Sequence, residues 1–485
     1  MFDKKFFVPI CSLLIVLSLC LSCSKSLKKI PITTSSEKAK ELYLKGLSLT
    51  DRLRGTEAVS YFQEAISLDS NFAMAYIGLT NSSTNPNQFF EYLGKAISLK
   101  NKVSEGERMW IEASEMQANN QSDTLIKHLK KLIELYPDDE RALNFLGSIY
   151  FGAQDYKTAI DYYLKGLAIN PSYSQLYNQL GYCYRFLQNY NEAEKMFQKY
   201  IALIPNDPNP YDSYGELLLQ IGKYDESLQN YEKALSVNPY FTFSYLGIAS
   251  NLNYTDQHVL ARNRLQQFLS TANTNSQKRV AYNGIIISYI DEGNLEAAYK
   301  VTQKMREIAI KESDTLVMTN EFFPLGFLLI EMGKYNEAEA AFDSCKVLIT
   351  KSGLFEGTKQ NALYNLRANY VILESKRGNF DEAEKIAIEF QTYAEKQNSP
   401  VLLRLSNQLF GVIALEQENF ELAIEYLRKA NQNSPYNLYR IGLAYENLGD
   451  NERAFSYFEK AAHANLVANR NYSYIRKKAL AKISE

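Results

Sequence analysis

A repeat of 34 residues is the feature that most constrains how this chain can fold. Three glycines and three prolines recur at this interval: Gly147, Gly181 and Gly215, and Pro171, Pro205 and Pro239. Within each unit, apolar and small residues form two stripes at helical spacing. In the first unit these are Leu143, Leu146, Gly147 and Tyr150, followed by Ala159, Tyr163 and Gly166. The pattern predicts two helices joined by a tight turn, with the proline ending the second helix.

This arrangement resembles the tetratricopeptide repeat. Small residues such as Gly147 and Ala159 would let the two helices of one hairpin approach to roughly 8 Å, and Tyr163 would fill the space beside that contact. The second helix of each unit has one position that usually holds a small residue, and tracing this position along the chain gives about twelve units. It is occupied by Ala58, Leu125, Ala159, Ala193, Ser227, Ala261, Ala298, Ala338, Ala383, Ala423 and Ala454, with a weak site near residues 89–92. The resemblance implies an all-α protein: a right-handed superhelical solenoid of about twelve TPR-like helical hairpins, stabilised by stacking of neighbouring repeats.

The repeat length divides the chain into two arrays. The period is 34 residues up to about residue 261 and then becomes longer and less regular, and residues 270–278 form the most loop-like interior stretch. We predict an N-terminal array over residues 37–270 and a C-terminal array over residues 279–465. Residues 466–485 combine basic and apolar side chains, and we predict a capping helix there, because the end of an array needs a polar outer face. A basic partner site is the alternative for this segment.

The first 36 residues lie outside the repeat pattern. Two lysines precede an apolar run over residues 6–21, which is short for a membrane-spanning helix, and a small serine precedes Cys23. This segment resembles a bacterial lipoprotein signal peptide. The resemblance implies removal of residues 1–22 and lipidation of Cys23, and we predict a flexible tether over residues 23–36. Plain secretion and a short spanning anchor are the alternatives.

The lipoprotein resemblance also implies a location. A lipidated Cys23 would anchor the protein to a membrane of the bacterial cell envelope, and we favour the outer membrane. Some envelopes export lipoproteins to the cell surface by acidic residues just after the lipidated cysteine, and residues 24–29 contain none. We therefore expect the protein to face the periplasm.

The sequence offers few groups for catalysis or metal binding. Three histidines lie in three different repeats, and we interpret each as a solvated side chain. The chain has no phosphate-binding loop, nucleophile elbow or metalloprotease motif, and Cys183 and Cys345 fit buried apolar positions of the repeat. With 53 Lys and Arg against 55 Asp and Glu, its net charge of −2 gives no reason to expect nucleic-acid binding. We expect no enzyme activity, no catalytic residue, no cofactor and no metal.

The first helices of the regular units carry the candidate binding residues. In the family that the chain resembles, these helices face a groove, and here their residues off the packing stripe are polar and rich in amides. We predict partner contacts at Arg141, Asn144, Phe145, Ser148, Gln175, Asn178, Gln179, Tyr182, Arg185, Asp212, Glu216 and Gln220. Such a surface suits hydrogen bonding to an extended peptide or a partner helix. The positions that hold a carboxylate clamp in chaperone-binding relatives carry no lysine or arginine in these three units, so we do not expect that clamp here.

These features predict a non-enzymatic adaptor: a membrane-tethered scaffold whose concave groove binds a peptide segment or a partner protein. The alternative is an outer-membrane lipoprotein that binds nutrients or glycans on the same helical scaffold. That function would require long insertions between the repeats to build a ligand pocket, and the gaps between units in this chain are only a few residues long.

Overall fold

The computed structural model describes residues 28–83, 86–312 and 315–484. These residues form 25 α-helices and one short 3-10 turn, Lys100–Lys102, and contain no strand. The predicted signal peptide and the predicted lipidation site, Cys23, lie outside the described residues. None of the described helices is both long enough and apolar enough to cross a membrane. The predicted all-α fold is confirmed.

Twenty-four of the helices pair into twelve consecutive hairpins, and one helix follows them. The helices are α1 Glu37–Thr50, α2 Gly55–Leu68, α3 Ala73–Ser82, α4 Pro86–Leu99, α5 Glu105–Ala118, α6 Ser122–Leu135, α7 Glu140–Gly152, α8 Tyr156–Ile169, α9 Ser174–Phe186, α10 Tyr190–Leu203, α11 Pro208–Gln220, α12 Tyr224–Val237, α13 Thr242–Tyr254, α14 His258–Thr271, α15 Asn275–Glu292, α16 Leu295–Glu312, α17 Thr315–Glu331, α18 Tyr335–Lys351, α19 Glu356–Arg377, α20 Phe380–Lys396, α21 Pro400–Glu416, α22 Phe420–Lys429, α23 Pro435–Asn447, α24 Asn451–Ala462 and α25 Arg470–Ser484. The predicted solenoid of about twelve hairpins is thus confirmed.

The first helices of the hairpins lie on the inner side of the solenoid. Along most of the array, the first helix of one hairpin touches the first helix of the next, as α11 touches α13 and α19 touches α21. Successive second helices do not make comparable contacts within the described part of the chain. Contacts are closer on the side of smaller radius, so the face made by the first helices is the concave one.

The repeating glycines lie directly against aromatic rings of the second helices. A Cβ atom placed on Gly147 would lie 2.5 Å from Cε1 of Tyr163, and one on Gly181 would lie 2.6 Å from Cε1 of Phe197. Both rings are fully buried. The glycine therefore makes room for an aromatic ring as well as for a close approach of the two helices.

The helices lengthen where the repeat period changes. Helices α7 to α14 have 13 or 14 residues, whereas α15 to α21 have 17 to 22. Only residues 272–274 separate α14 from α15, so most of the stretch expected to be loop-like, 270–278, is helical. Thr274 accounts for this difference, because its side chain accepts a hydrogen bond from the Gln277 backbone and caps the start of α15.

The C-terminal array folds back onto the N-terminal array. Arg404 donates a hydrogen bond of 3.0 Å to the carbonyl oxygen of Ala153, and Asn398 donates one of 3.2 Å to the Asp123 carboxylate. The Thr358 hydroxyl donates to the carbonyl oxygen of Ala118. The partners in these contacts are about 240 to 275 residues apart in sequence. No local sequence pattern predicted them.

Helix α25 packs on α24, as a cap would, and also crosses the inner face to contact α15 and α23. Its Arg476 makes two hydrogen bonds of 2.7 Å with the carboxylate of Asp291, one to each oxygen. His258, which the sequence analysis interpreted as solvated, is instead buried and lies 2.8 Å from the same carboxylate. The last helix is therefore anchored to the middle of the solenoid as well as to its end.

The described part of the predicted tether, residues 28–36, lies against the repeats. Backbone N–H groups in this segment donate to carboxylates: Lys28 to Asp138 at 2.8 Å, Ile30 to Asp139 at 3.1 Å, Thr33 to Glu107 at 2.8 Å and Ser35 to Asp69 at 2.7 Å. Hydrogen bonds to ionised acceptors are stronger than neutral ones. These contacts hold the segment in place, in contrast to the flexible chain expected from its composition.

Candidate partner-binding surface

The predicted groove residues form rows across the three first helices α7, α9 and α11. Together with the next first helix, α13, these helices form what we call the inner surface. Residues 34 positions apart occupy equivalent places in each helix, so Asn144, Asn178 and Asp212 form one row. Ser148, Tyr182 and Glu216 form a second row. The helical repeat thus brings side chains from three hairpins side by side.

Several predicted residues bond to one another across neighbouring helices. The Tyr182 hydroxyl donates to Glu216 at 2.9 Å, and Arg185 donates to the other oxygen of that carboxylate at 2.6 Å. Ser244 on α13 donates to Asp212 on α11 at 2.7 Å. These bonds link α9, α11 and α13 into one polar network.

Asp212 is the most strongly perturbed carboxyl of this network. Its pKa is raised to about 7: burial is the main cause, the hydrogen bond from Ser244 opposes the shift, and the nearby Glu216 adds to it. A carboxyl with a pKa near neutrality is a frequent mark of a functional site, although structural networks produce it too. Here the group faces a neighbouring helix, and the network fixes the spacing of α11 and α13.

The turn of the first hairpin lies against the N-terminal ends of α7, α9 and α11. This turn carries Asp51, whose carboxylate accepts a hydrogen bond of 2.6 Å from Arg141 and one of 3.2 Å from the Tyr173 hydroxyl. In the same turn, Arg54 lies 3.8 Å from Asp207 at the start of α11. Burial raises the pKa of Asp51, while the Arg141 guanidinium opposes the shift. Arg141, predicted to contact a partner, is therefore engaged within the molecule.

The twelve predicted residues differ in their accessibility. Asn178, Arg185 and Asp212 are buried. The remaining nine are half-buried: Arg141, Asn144, Phe145, Ser148, Gln175, Gln179, Tyr182, Glu216 and Gln220. Among these, Phe145 packs on the Trp110 ring at 5.3 Å, and the Asn144 amide donates to Gln175 at 3.3 Å. The predicted residues lie on the first helices, and part of the face that they form is used for packing between repeats.

An exposed aromatic residue on this surface was missed by the sequence analysis. Phe243 lies one repeat beyond Asn209, in the row that also contains Arg141 and Gln175, and it is 61% exposed. Its ring makes an edge contact with Phe241 at 5.9 Å, and the adjacent Tyr240 is 58% exposed. Extending the row by one more period of 34 residues would have identified Phe243.

In the described ranges, no group of three or more histidine, cysteine, aspartate or glutamate side chains is arranged to hold a metal ion. Cys183 and Cys345 are buried, and burial raises the pKa of each thiol to about 12. Such thiols behave as small apolar groups and are poor nucleophiles.

Sequence comparisons agree with the helical repeat. Models of the tetratricopeptide repeat match residues 138–206 and 172–239, and further ones match residues 406–437 and 435–465. A search of curated proteins found no match. Among solved structures, a tetratricopeptide repeat protein from Parabacteroides merdae ATCC 43184 is similar at 17% identity and a TM-score of 0.36, covering 59% of this chain and 99% of its own. The family models thus identify tetratricopeptide repeats at residues 138–239 and 406–465, and repeats of this kind generally mediate protein–protein interactions.

Proposed function

We propose that this protein is a non-enzymatic scaffold that binds a segment of a partner protein on the inner surface and is tethered to a bacterial membrane by a lipid on Cys23. The observation that carries the binding proposal is the exposed Phe243, which lies in the same row as the half-buried Gln175 of the polar inner surface. Aromatic side chains are enriched where protein interfaces derive most of their binding energy.

The chemistry of this surface favours a protein segment as its occupant. Gln175 and Gln179 are half-buried, and their side-chain amides can donate hydrogen bonds to a peptide backbone, while an apolar side chain of the partner can cover the Phe243 ring. Full burial of a phenylalanine side chain contributes about 1.5–3 kcal/mol. Since the turn of the first hairpin contacts the starts of α7, α9 and α11, and Phe243 at the start of α13 stays exposed, the partner would lie against α13 and the more C-terminal turns of α9 and α11.

The tether supports a defined orientation at the membrane. Five residue steps separate Cys23 from Lys28, whose backbone N–H donates to Asp138. Five extended steps span at most about 18 Å. If Cys23 carries the lipid, the start of α7 lies close to the membrane surface. We place the protein at the outer membrane with its inner surface in the periplasm.

The experiment is in-envelope cross-linking with mass spectrometry, followed by affinity measurement with the lipid-free chain 24–485. Phe243→Ala should weaken binding of the cross-linked partner at least tenfold, because it removes the exposed aromatic contact. The matched control is Leu164→Ala, which removes another exposed apolar side chain, 46% exposed, from the second helix α8. Equal affinities for wild type and Phe243→Ala would contradict the proposed surface.

A further inference from the structure

A cavity of about 420 Å³ lies on the inner face of the C-terminal array, distant in sequence from the surface proposed above. It is bounded by the first helices α17, α19, α21 and α23 and is closed on one side by α25. Aromatic and amide side chains line it, among them Phe327, Tyr474, Asn369 and Gln408. Ligand sites of proteins are commonly this size and combine apolar walls with a few polar groups.

Two arginines face this cavity without a carboxylate partner. Arg440 is only 7% exposed; its guanidinium lies 4.1 Å from the centre of the Tyr436 ring and donates to Asn437 over 3.4 Å. Arg470 donates from Nε and Nη2 to the amide oxygen of Asn283, at 2.8 and 2.5 Å. Among the described residues, no carboxylate lies within 4.0 Å of either guanidinium.

Neutral partners do not compensate a buried charge fully. Removing an ion from water costs several kcal/mol unless an opposite charge lies close by. Consistent with this cost, desolvation lowers the pKa of both Arg440 and Arg470. The nearby Glu331 accepts a hydrogen bond from the Tyr436 hydroxyl and pairs with Lys478 at 3.3 Å. Glu321 acts on Arg470, and Glu331 and Glu416 act on Arg440, from beyond 4.0 Å, so these carboxylates offset part of the positive charge without forming an ion pair with either guanidinium. The two arginines therefore still offer the cavity positively charged donors.

We propose that this cavity binds a small organic carboxylate with an apolar or aromatic body. Its carboxylate would pair with Arg440, with Arg470 adding the second positive charge, because a guanidinium fork matches the two oxygens of a carboxylate. Its body would lie against Phe327 and Tyr474, and the amides of Asn369 and Gln408 would bind further polar atoms. Because α25 contributes Arg470 and Tyr474, a bound acid would also hold this helix in place.

The test is calorimetric titration of the chain 24–485 with 3-phenylpropionate, compared with the uncharged 3-phenylpropionamide. We expect the acid to bind at least tenfold more tightly than the amide, and inorganic phosphate to bind more weakly than the acid. Equal binding of acid and amide, or no binding of the acid at millimolar concentration, would overturn the proposal. This comparison uses the unmodified protein and needs no variant to fold.

Variants then locate the site. Arg440→Gln and Arg470→Gln should each weaken binding of the acid at least tenfold. The matched control, Lys477→Gln, removes an exposed positive charge from the same helix as Arg470 and should leave binding unchanged. Unchanged affinity in both arginine variants would place the acid elsewhere and refute the assignment.

A peptide terminus is the other source of a carboxylate, and a second titration separates the two. A pentapeptide ending in phenylalanine is compared with its C-terminal amide. The proposal requires that the free acid bind at least as tightly as the peptide acid. If only the peptide acid binds, the small-molecule assignment is wrong. Because the cavity lies outside the inner surface of α7 to α13, neither result bears on Phe243 and its proposed partner.

Discussion

Gly181→Ala tests whether the repeat depends on a direct contact between glycine and an aromatic ring. The added Cβ would lie 2.6, 2.7 and 2.8 Å from three atoms of the Phe197 ring, which is fully buried. Forcing extra atoms into a packed core costs about 1–3 kcal/mol. Alanine in a helix interior gains about 1 kcal/mol over glycine. We therefore expect a net loss of about 0–2 kcal/mol.

Gly94→Ala is the matched control, because Gly94 lies inside α4 and a Cβ there would meet no atom within 4 Å apart from its chain neighbours and the backbone of its own helix. It gains the same helix propensity without the clash. The free energy of unfolding should therefore differ between the two variants by about 1–3 kcal/mol in favour of Gly94→Ala. Combining Gly181→Ala with Phe197→Leu should reduce the cost of the alanine, because the leucine leaves room for it.

Urea unfolding gives the total change, and hydrogen exchange locates it. Amides in α9 and α10 should exchange faster in Gly181→Ala, while those in α19 to α24 should be unaffected, because the stability of a solenoid is a sum of local terms. If Gly181→Ala stabilises the protein as much as Gly94→Ala does, the explanation of the glycine is wrong. Uniformly faster exchange over the whole chain would refute the modular description.

Three other predictions concern single side chains. Burial raises the pKa of Asp212 to about 7, so the folded protein retains a proton that the unfolded chain loses above pH about 4. The stability that this proton supplies is complete below that pH and is lost as the pH rises to 7. In urea titrations, Asp212→Asn should therefore raise the free energy of unfolding, relative to wild type, by more at pH 8 than at pH 5. A difference between variant and wild type that does not depend on pH would contradict the pKa shift. Arg476→Gln leaves the buried Asp291 without its guanidinium partner. The substitution should lower the free energy of unfolding by about 3–5 kcal/mol and speed hydrogen exchange in α25. Unchanged hydrogen exchange in α25 would show that the pair does not anchor the helix. Cys23→Ser should move the protein from the membrane fraction to the soluble fraction, whereas retention in the membrane would indicate a spanning anchor.

The candidate surface was predictable only in part. The spacing of Asn144, Asn178 and Asp212 placed them correctly in one row, because equivalent positions of a repeat face the same way. Their burial was not predictable, since it depends on how closely successive first helices pack. The hydrogen bond from Arg141 to Asp51 joins residues 90 positions apart, and the sequence around neither residue predicts it.

The sequence by itself determined the hairpins. The hairpins depend on helix periodicity and on contacts of the glycines with aromatic residues such as Tyr163 and Phe197. These contacts join residues of one repeat or of neighbouring repeats, so the spacing of residues along the chain predicts them. The tertiary structure alone decided that the two arrays touch, that residues 28–36 bind to the repeats, and that α25 meets α15 through Arg476 and Asp291. These contacts depend on the small rotation between successive hairpins, summed over many repeats. A small change in the rotation between successive hairpins would separate the residues that make these distant contacts. No local pattern of residues determines the total rotation over many repeats.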